Sequence, residues 1–139
     1  TWAPTNITYG HNNRSAQFRL PQNRYCIENR AADMTMNVYL AFAMTLSAAV
    51  EGIKGKIHPG KPTDQDLYEM SENEFKKLGI KRLPRNLLMA IEALKKDKLS
   101  DDVLGPVMKK SFLAYKNDEW ERYHQSVTDW EVKEYLRLY

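Results

Sequence analysis

Arginines and one glutamate are concentrated within positions 14–30 of the sequence. The planar guanidinium of arginine binds phosphate and carboxylate groups through paired hydrogen bonds. A carboxylate among such groups can bind a divalent cation or pair with an arginine. The residues are Arg14, Arg19, Arg24, Glu28 and Arg30. They indicate either an anion-binding site or a solvated sheet face held by ion pairs.

The elements that must position this cluster are short strands within residues 1–33. Three segments have strand character, namely 6–9, 16–20 and 26–30. Because side chains alternate across a strand, Arg19 is expected on a polar face of the second segment. For the same reason Glu28 and Arg30 are expected to share one face of the third.

Residues 34–139 are predicted to be mainly helical. The segment from Val38 to Ile53 is apolar nearly all round, which is typical of a helix buried in a larger body. Ser71 with Glu74, and Thr128 with Glu131, are capping-box patterns that mark helix starts. Two further starts and one interruption are predicted at Leu83–Pro84, Ser100 and Gly105–Pro106. We therefore expect an α+β fold, a small antiparallel sheet portion followed by a helical bundle.

Composition limits the classes of protein to consider. The 139 residues suffice for one domain, and 21 Lys+Arg against 18 Asp+Glu give a net charge of +3. This near equality of positive and negative residues argues against nucleic-acid binding. The uncharged run 34–50 is too short and polar to span a membrane. A single cysteine, Cys26, suits a reducing, cytoplasmic setting. Because the sequence begins without methionine, it is expected to be a piece of a longer polypeptide.

Other catalytic arrangements find little support in the sequence. His11, His58 and His124 lie far apart and lack the spacing of a metal site. Cys26 has no histidine near it in sequence, which favours a structural role over a nucleophilic one. No glycine-rich nucleotide loop is present.

Two motifs in the arginine-rich region resemble signatures of the glutamine synthetase family. Residues 13–21 match the pattern NRSAxxRxP, and residues 27–41 match IExRxxDxxxNxYLA. Further similarity at 51–60, 83–94 and 119–131 extends the resemblance over essentially the whole chain. It corresponds to the C-terminal part of the catalytic domain of such enzymes, whose strands complete a curved catalytic sheet.

The resemblance implies a role for each matching residue in ATP-dependent ligation of glutamate to an amine. Arg14 corresponds to an arginine that holds the transferred phosphoryl group, and Arg30 to one at the glutamate and γ-phosphate end. Arg19 corresponds to a contact with the phosphates of ATP. Glu28 corresponds to a ligand of the active-site Mg²⁺ or Mn²⁺.

Two positions depart from the family pattern. Many relatives have an arginine where this chain has Cys26, so nearby Arg24 is the candidate to replace that nucleotide contact. Ammonia-using members carry a glutamate where this chain has Trp2. The change suggests methylamine or another small amine as substrate, as in the glutamate–methylamine ligase branch. The alternative is that Trp2 only packs, and that a carboxylate elsewhere handles ammonium.

The resemblance also bears on assembly and regulation. The family's other metal ligands and its glutamate-binding loop lie upstream of the matching region, and its sites are shared between subunits of a homo-oligomeric ring. We therefore expect the isolated chain to be inactive and to associate through exposed apolar surface. Tyr68 aligns with a loop tyrosine that some bacterial members adenylylate, although packing alone also explains it. The competing interpretation is a non-catalytic helical interaction module.

Overall fold

The structure, a computed structural model, describes residues 3–138. The chain divides into two compact units, residues 1–85 and residues 86–139. The first unit contains β1 (Asn6–Ile7), β2 (Tyr9–His11), β3 (Phe18–Leu20), β4 (Glu28–Asn29), α1 (Val38–Lys54), α2 (Glu72–Leu78) and β5 (Lys81–Arg82). The second contains α3 (Leu87–Lys96), α4 (Lys98–Gln125) and α5 (Asp129–Tyr135).

Two small sheets organise the first unit. β1 pairs antiparallel with β5, a strand that lies inside the region predicted to be helical. β2 pairs parallel with β3, and β3 pairs antiparallel with β4. The α+β class is confirmed, but only the two-stranded sheet is purely antiparallel, and the three-stranded sheet is mixed. Asn12, directly after β2, has a positive φ of 52°, and residues 13–17 form the bend that connects the two parallel strands.

A small hydrophobic core lies between residues 13–17 on one side and helix α2 with the residues preceding it on the other. Ala16, Leu67 and Phe75 are buried together, and Met70 and Ile80 pack against them. The predicted capping box at the start of α2 is confirmed, since the side chain of Ser71 accepts from the backbone of the third helical residue. Residues distant in sequence therefore meet beside the 13–17 turn.

Helix α1 begins where the side chain of Asn37 accepts a hydrogen bond from the backbone of Leu40. None of its 17 residues is buried. The predicted burial of this helix is therefore not found within residues 3–138. An apolar stripe, defined as Val38, Phe42, Leu46 and Val50, stays exposed. Within residues 3–138, no helix has both the length and the apolar character needed to cross a bilayer.

Helix α3 begins later in the sequence than predicted, and helix α4 begins earlier. The backbone of Leu83 remains extended, its N–H donating to Thr5 at 2.9 Å, so α3 starts only after Asn86, whose side chain caps it. The cap of α4 is Asp97 and not Ser100. Ser100 is instead buried, and its hydroxyl donates to the carbonyl of Asp97 at 2.7 Å.

The predicted interruption at Gly105–Pro106 is confirmed as a sharp kink in α4. Gly105 has φ 68° and ψ 166°, a conformation that favours glycine. Across the kink, the buried Nζ of Lys109 donates to the Asp101 carboxylate at 2.6 Å and to the Asp97 carbonyl at 2.8 Å. In a straight helix, Asp101 and Lys109 would be separated by a rise of about 12 Å. The kink therefore permits this ion pair between the buried Lys109 and the exposed Asp101.

The exposed stripe of α1 predicts that the isolated 139-residue chain self-associates, because water contact with a continuous apolar face is unfavourable. Light scattering should report species larger than a monomer. Placing a charge in the stripe with Leu46→Glu should reduce their abundance. Ala48→Glu, on an exposed part of α1 outside the stripe, is the matched control and should change little. A monodisperse monomer of the unmodified chain would contradict this expectation.

Candidate functional site

A cleft of about 830 Å³ lies in the first unit between residues 11–22 and residues 64–68. Two of the predicted site residues, Arg14 and Arg19, line it together. Asp64, Asp66 and Tyr68 line it from the other segment. The cleft thus contains two guanidinium groups within reach of one ligand, and carboxylates contributed by a separate loop.

Arg19 and Glu28 stand opposite each other on β3 and β4. The Arg19 Nη1 donates to both carboxylate oxygens of Glu28, at 3.0 and 3.1 Å. Arg24, four residues before Glu28, pairs with the same carboxylate. The side chains of Arg19 and Glu28 are only 15% and 23% exposed, so this pair is shielded better than an ordinary surface ion pair.

This pairing changes the acidity of Glu28. Hydrogen bonds from Arg19 lower the pKa of Glu28 below its ordinary value and outweigh the partial burial that raises it. The hydrogen bond from Arg24 lowers this pKa further. Glu28 is therefore a carboxylate at neutral pH, and two guanidinium groups against one carboxylate leave a net positive charge.

The guanidinium of Arg19 keeps donors for a further ligand. It has five N–H donors, and its bonds to Glu28 and to the side-chain oxygen of Asn12 use at most three of them. Its Nε is buried without a hydrogen-bond partner among the described residues, so only Nη hydrogens are available to a ligand in the cleft. The predicted anion site and the alternative of an ion-paired sheet face are therefore compatible at this residue.

Arg30 lies just beyond the strand where it was expected. β4 ends at Asn29, so Arg30 occupies the following turn and the predicted shared face with Glu28 is not formed by a continuous strand. Its backbone N–H still donates to the carbonyl of Gln17 at 2.8 Å. Its side-chain Nε donates to the backbone carbonyl of Arg14 at 2.8 Å. Arg30 thereby holds the main chain that carries Arg14.

The remaining predicted positions have varied outcomes. Trp2 lies outside the described residues. Cys26 is an exposed free thiol. The hydroxyl of Tyr68 donates to the carbonyl of Ala3 at 3.1 Å, a structural contact that leaves its modification a prediction.

No cluster of three or more His, Cys, Asp or Glu side chains within residues 3–138 is arranged to hold a metal ion. Glu28 alone provides one carboxylate, and that carboxylate is engaged with Arg19 and Arg24. Divalent cations such as Mg²⁺ need several oxygen ligands. Among the described residues, Glu28 could therefore provide one ligand of such a cation, and the other ligands would have to come from elsewhere.

Sequence reasoning missed the contacts that hold the acidic side of the cleft. The backbone N–H of His11 donates to the Asp64 carboxylate at 2.6 Å, and this bond lowers the pKa of Asp64. The N–H of Thr63 donates to the carbonyl of Tyr9 at 2.8 Å. A Cβ on Gly10 would overlap the carbonyl oxygen of Thr63, so a side chain there would push this loop away. No local sequence pattern predicts these contacts, because the partners lie some fifty residues apart.

The lowered pKa of Glu28 predicts how acid affects the Arg19–Glu28–Arg24 group. A carboxylate whose pKa is depressed by folding stabilises the folded state fully above its unfolded pKa of about 4.3, and this stabilisation disappears as pH falls through the folded pKa. In the complete protein, Glu28→Gln should therefore lower the thermal midpoint at pH 7, and the difference from the unmodified protein should shrink below about pH 4. Glu121→Gln, on the exposed surface of α4, is the control. A difference that stays constant from neutral to acidic pH would contradict the ionic origin of the effect.

Comparison with known proteins supports the family resemblance. The family model for the glutamine synthetase catalytic domain matches residues 1–135. Glutamate–methylamine ligase of Methyloversatilis universalis is 43% identical over 139 residues, which cover 100% of this chain and 31% of that protein. Glutamine synthetase of Methanococcus maripaludis is 39% identical, with 98% of this chain and 31% of that protein covered.

Solved structures agree with the fold. An ADP complex of GmaS has a TM-score of 0.84 and 35% identity, with 98% of this chain and 30% of that chain covered. A GmaS structure without ligand has a TM-score of 0.80 at 35% identity, covering 96% of this chain and 30% of that chain. This chain thus spans about a third of the length of these relatives. The match to the family model over residues 1–135 and the shared motifs show that the chain belongs to the glutamine synthetase catalytic-domain family.

Proposed function

We propose that this chain is the C-terminal part of an ATP-dependent ligase that joins the γ-carboxylate of glutamate to an amine through γ-glutamyl phosphate. The observation that carries the proposal is the placement of Arg14 and Arg19 in one cleft. Both residues lie in the motif that identifies the family. Two fixed guanidinium groups suit an enzyme whose substrates and intermediates carry phosphate and carboxylate groups.

The first half of the reaction transfers a phosphoryl group. A γ-carboxylate oxygen of glutamate attacks the γ-phosphorus of ATP, the bond to the β–γ bridging oxygen breaks, and ADP leaves. Arg14, exposed at the cleft, stabilises the charge on the phosphoryl oxygens as they move. Arg30 acts at the glutamate end and also holds the main chain of Arg14.

In the second half, the amine nitrogen attacks the acyl carbon of γ-glutamyl phosphate and phosphate leaves. The nitrogen loses a proton to a base supplied by the rest of the enzyme. The guanidinium groups that stabilised the transferred phosphoryl group also stabilise the departing phosphate, since negative charge accumulates on the same oxygens. One set of arginines therefore serves both steps.

Arg19 and Arg24 are assigned to the nucleotide phosphates. Both already converge on Glu28, which holds them in place without using all their donors. The structural relative GmaS is described as an ADP complex, which supports nucleotide binding by the complete protein. Arg24 would then provide the contact that Cys26 cannot make.

Glu28 is proposed as one ligand of a divalent cation, Mg²⁺ or Mn²⁺, whose other ligands come from outside this chain. Its depressed pKa keeps it ionised, as a metal ligand must be. When bound, such a cation screens the negative charge of ATP phosphates and polarises them toward attack.

Methylamine or another small amine is the proposed nitrogen donor. A neutral indole at Trp2 cannot accept a proton from ammonium, but it can pack against an alkyl group or face a substrate cation. The 43% identity to a glutamate–methylamine ligase is compatible with this choice. The glutamine synthetase of Methanococcus maripaludis at 39% keeps ammonia as the alternative donor.

The complete enzyme is proposed to include a longer N-terminal portion, to assemble as a homo-oligomeric ring and to act in the cytoplasm. The coverage of about a third of each relative supports the longer portion. The isolated chain should then lack ligase activity. A purely structural helical module is disfavoured because Arg14, Arg19, Glu28 and Arg30 all keep the residue types of the family motifs.

Arginine 14 provides the first test of this proposal. In the complete protein, Arg14→Ala should lower kcat for glutamate-dependent phosphate release about 100-fold, because a fixed donor to the transition state is lost. Arg14→Lys should retain part of the activity by keeping the charge without the paired geometry. Arg85→Ala, an exposed arginine outside the cleft, is the control and should keep normal activity. Normal turnover by Arg14→Ala would refute the role of Arg14.

The choice of amine is tested by comparing kcat/KM for ammonia, methylamine, ethylamine and putrescine. We expect methylamine to exceed ammonia in the unmodified enzyme. Trp2→Glu should shift the ratio toward ammonia by about tenfold, because a carboxylate binds ammonium and can accept its proton. Trp2→Phe, which keeps an apolar ring, should retain the preference for methylamine. If ammonia is the better substrate of the unmodified enzyme, the assignment of Trp2 is wrong.

A further inference from the structure

We propose that Asn13 is a positioning residue that aims Arg14 into the cleft by fastening the turn at residues 13–15 to the loop at residues 63–67. This inference rests on the proposed role of Arg14 in phosphoryl transfer. Asn13 belongs to the family motif, but its side chain does not need to touch a substrate to act in this way.

The amide group of Asn13 reaches the loop directly. Its Nδ2 donates to the backbone carbonyl of Thr63 at 2.7 Å and to that of Gln65 at 2.8 Å. These residues flank Asp64, which lines the cleft. One side chain therefore fixes the main chain on both sides of an acidic lining residue.

The oxygen of the same amide fixes the turn. Its Oδ1 accepts from the backbone N–H of Ser15 at 2.9 Å and from the Ser15 hydroxyl at 2.7 Å. The Ser15 hydroxyl oxygen in turn accepts from the backbone N–H of Leu67 at 2.9 Å. A carboxamide offers two donor hydrogens and two acceptor lone pairs, and Asn13 uses all four.

Arg14 lies between these two anchored residues. Its carbonyl is held by Arg30 Nε, and its neighbours are held by the amide of Asn13 and the buried Ser15. The main chain of Arg14 is thus restrained on both sides, while its side chain extends to the cleft. Because a displacement of about 1 Å can cost about 100-fold in rate, loss of this anchoring should impair catalysis without removing any group that touches the substrate.

Two substitutions distinguish the loss of the Asn13 hydrogen bonds to the loop from their replacement by repulsion. Asn13→Ala removes the bonds to Thr63 and Gln65 and the acceptor for Ser15. Asn13→Asp keeps an acceptor for Ser15 but sets a second oxygen against those two carbonyls. We therefore expect kcat to fall about tenfold for Asn13→Ala and about 100-fold for Asn13→Asp. The KM for the amine should be nearly unchanged in both.

The decisive experiment is a double-mutant cycle in the complete protein. Asn13→Ala, Arg14→Ala and the double variant are compared by steady-state phosphate release with ATP, glutamate and the preferred amine. If Asn13 acts through Arg14, Asn13→Ala should reduce kcat less than about twofold further when Arg14 is already alanine. Asn117→Ala, which removes a carboxamide that donates to the Leu113 carbonyl within α4, is the matched control and should keep normal kcat.

The outcomes separate this inference from the function beneath it. If Arg14→Ala keeps normal activity, the role of Arg14 and the positioning role of Asn13 both fail. If Arg14→Ala loses activity and Asn13→Ala does not, only the positioning role fails. An equal loss from Asn13→Ala in both backgrounds would show a general structural effect and overturn the inference. Should neither Asn13 variant fold, Ser15→Ala enters the cycle instead, since it removes the hydroxyl that links Asn13 to Leu67.

Discussion

The attachment of residues 60–68 to residues 9–15 is the constraint on which the rest of the site depends. A polar loop has little apolar surface to bury, so its position must come from hydrogen bonds. Here Tyr9 donates its hydroxyl to the carbonyl of Gly60 at 2.9 Å, and the amide of Asn13 donates to Thr63. The same attachment places Leu67 in the small core beside Ala16. The same hydrogen bonds therefore contribute to the stability of the first unit and to the shape of the cleft.

The charged cluster on β3 and β4 shows how one arrangement serves two purposes. Glu28 fixes Arg19 and Arg24 by pairing with both. Fixed guanidinium groups stabilise developing charge better than mobile ones, because they need no reorganisation during the reaction. Within this cluster two arginines face one carboxylate, while Asp64 and Asp66 line the other side of the cleft. The structure shows the ion-paired sheet face, and this arrangement is compatible with the proposed anion-binding site.

Helix boundaries that depend on neighbouring residues were predicted correctly, whereas a boundary that depends on a contact distant in sequence was not. The capping boxes at Ser71 and Thr128 and the break at Gly105 depend on neighbouring residues, and all three are confirmed. The start of α3 was misplaced because a backbone hydrogen bond from Leu83 to Thr5 keeps that segment extended.

The site follows the same division. Arg14 and Arg19 were predicted from a motif of adjacent residues, and they do share a cleft. The facing loop could not be predicted, because its partners Asn13 and Thr63 are fifty positions apart. Likewise, the apolar composition of α1 predicts burial that residues 3–138 do not provide.

Formation of γ-glutamyl phosphate is the central chemical claim, and positional isotope exchange tests it most directly. ATP carrying a heavy-oxygen label in the β–γ bridge is incubated with the complete protein and glutamate, without any amine. Reversible transfer to glutamate frees the β-phosphate of ADP to rotate, so the label should move to non-bridging β positions only when glutamate is present. Label that stays in the bridge, or that moves equally without glutamate, would contradict an acyl-phosphate mechanism for this protein.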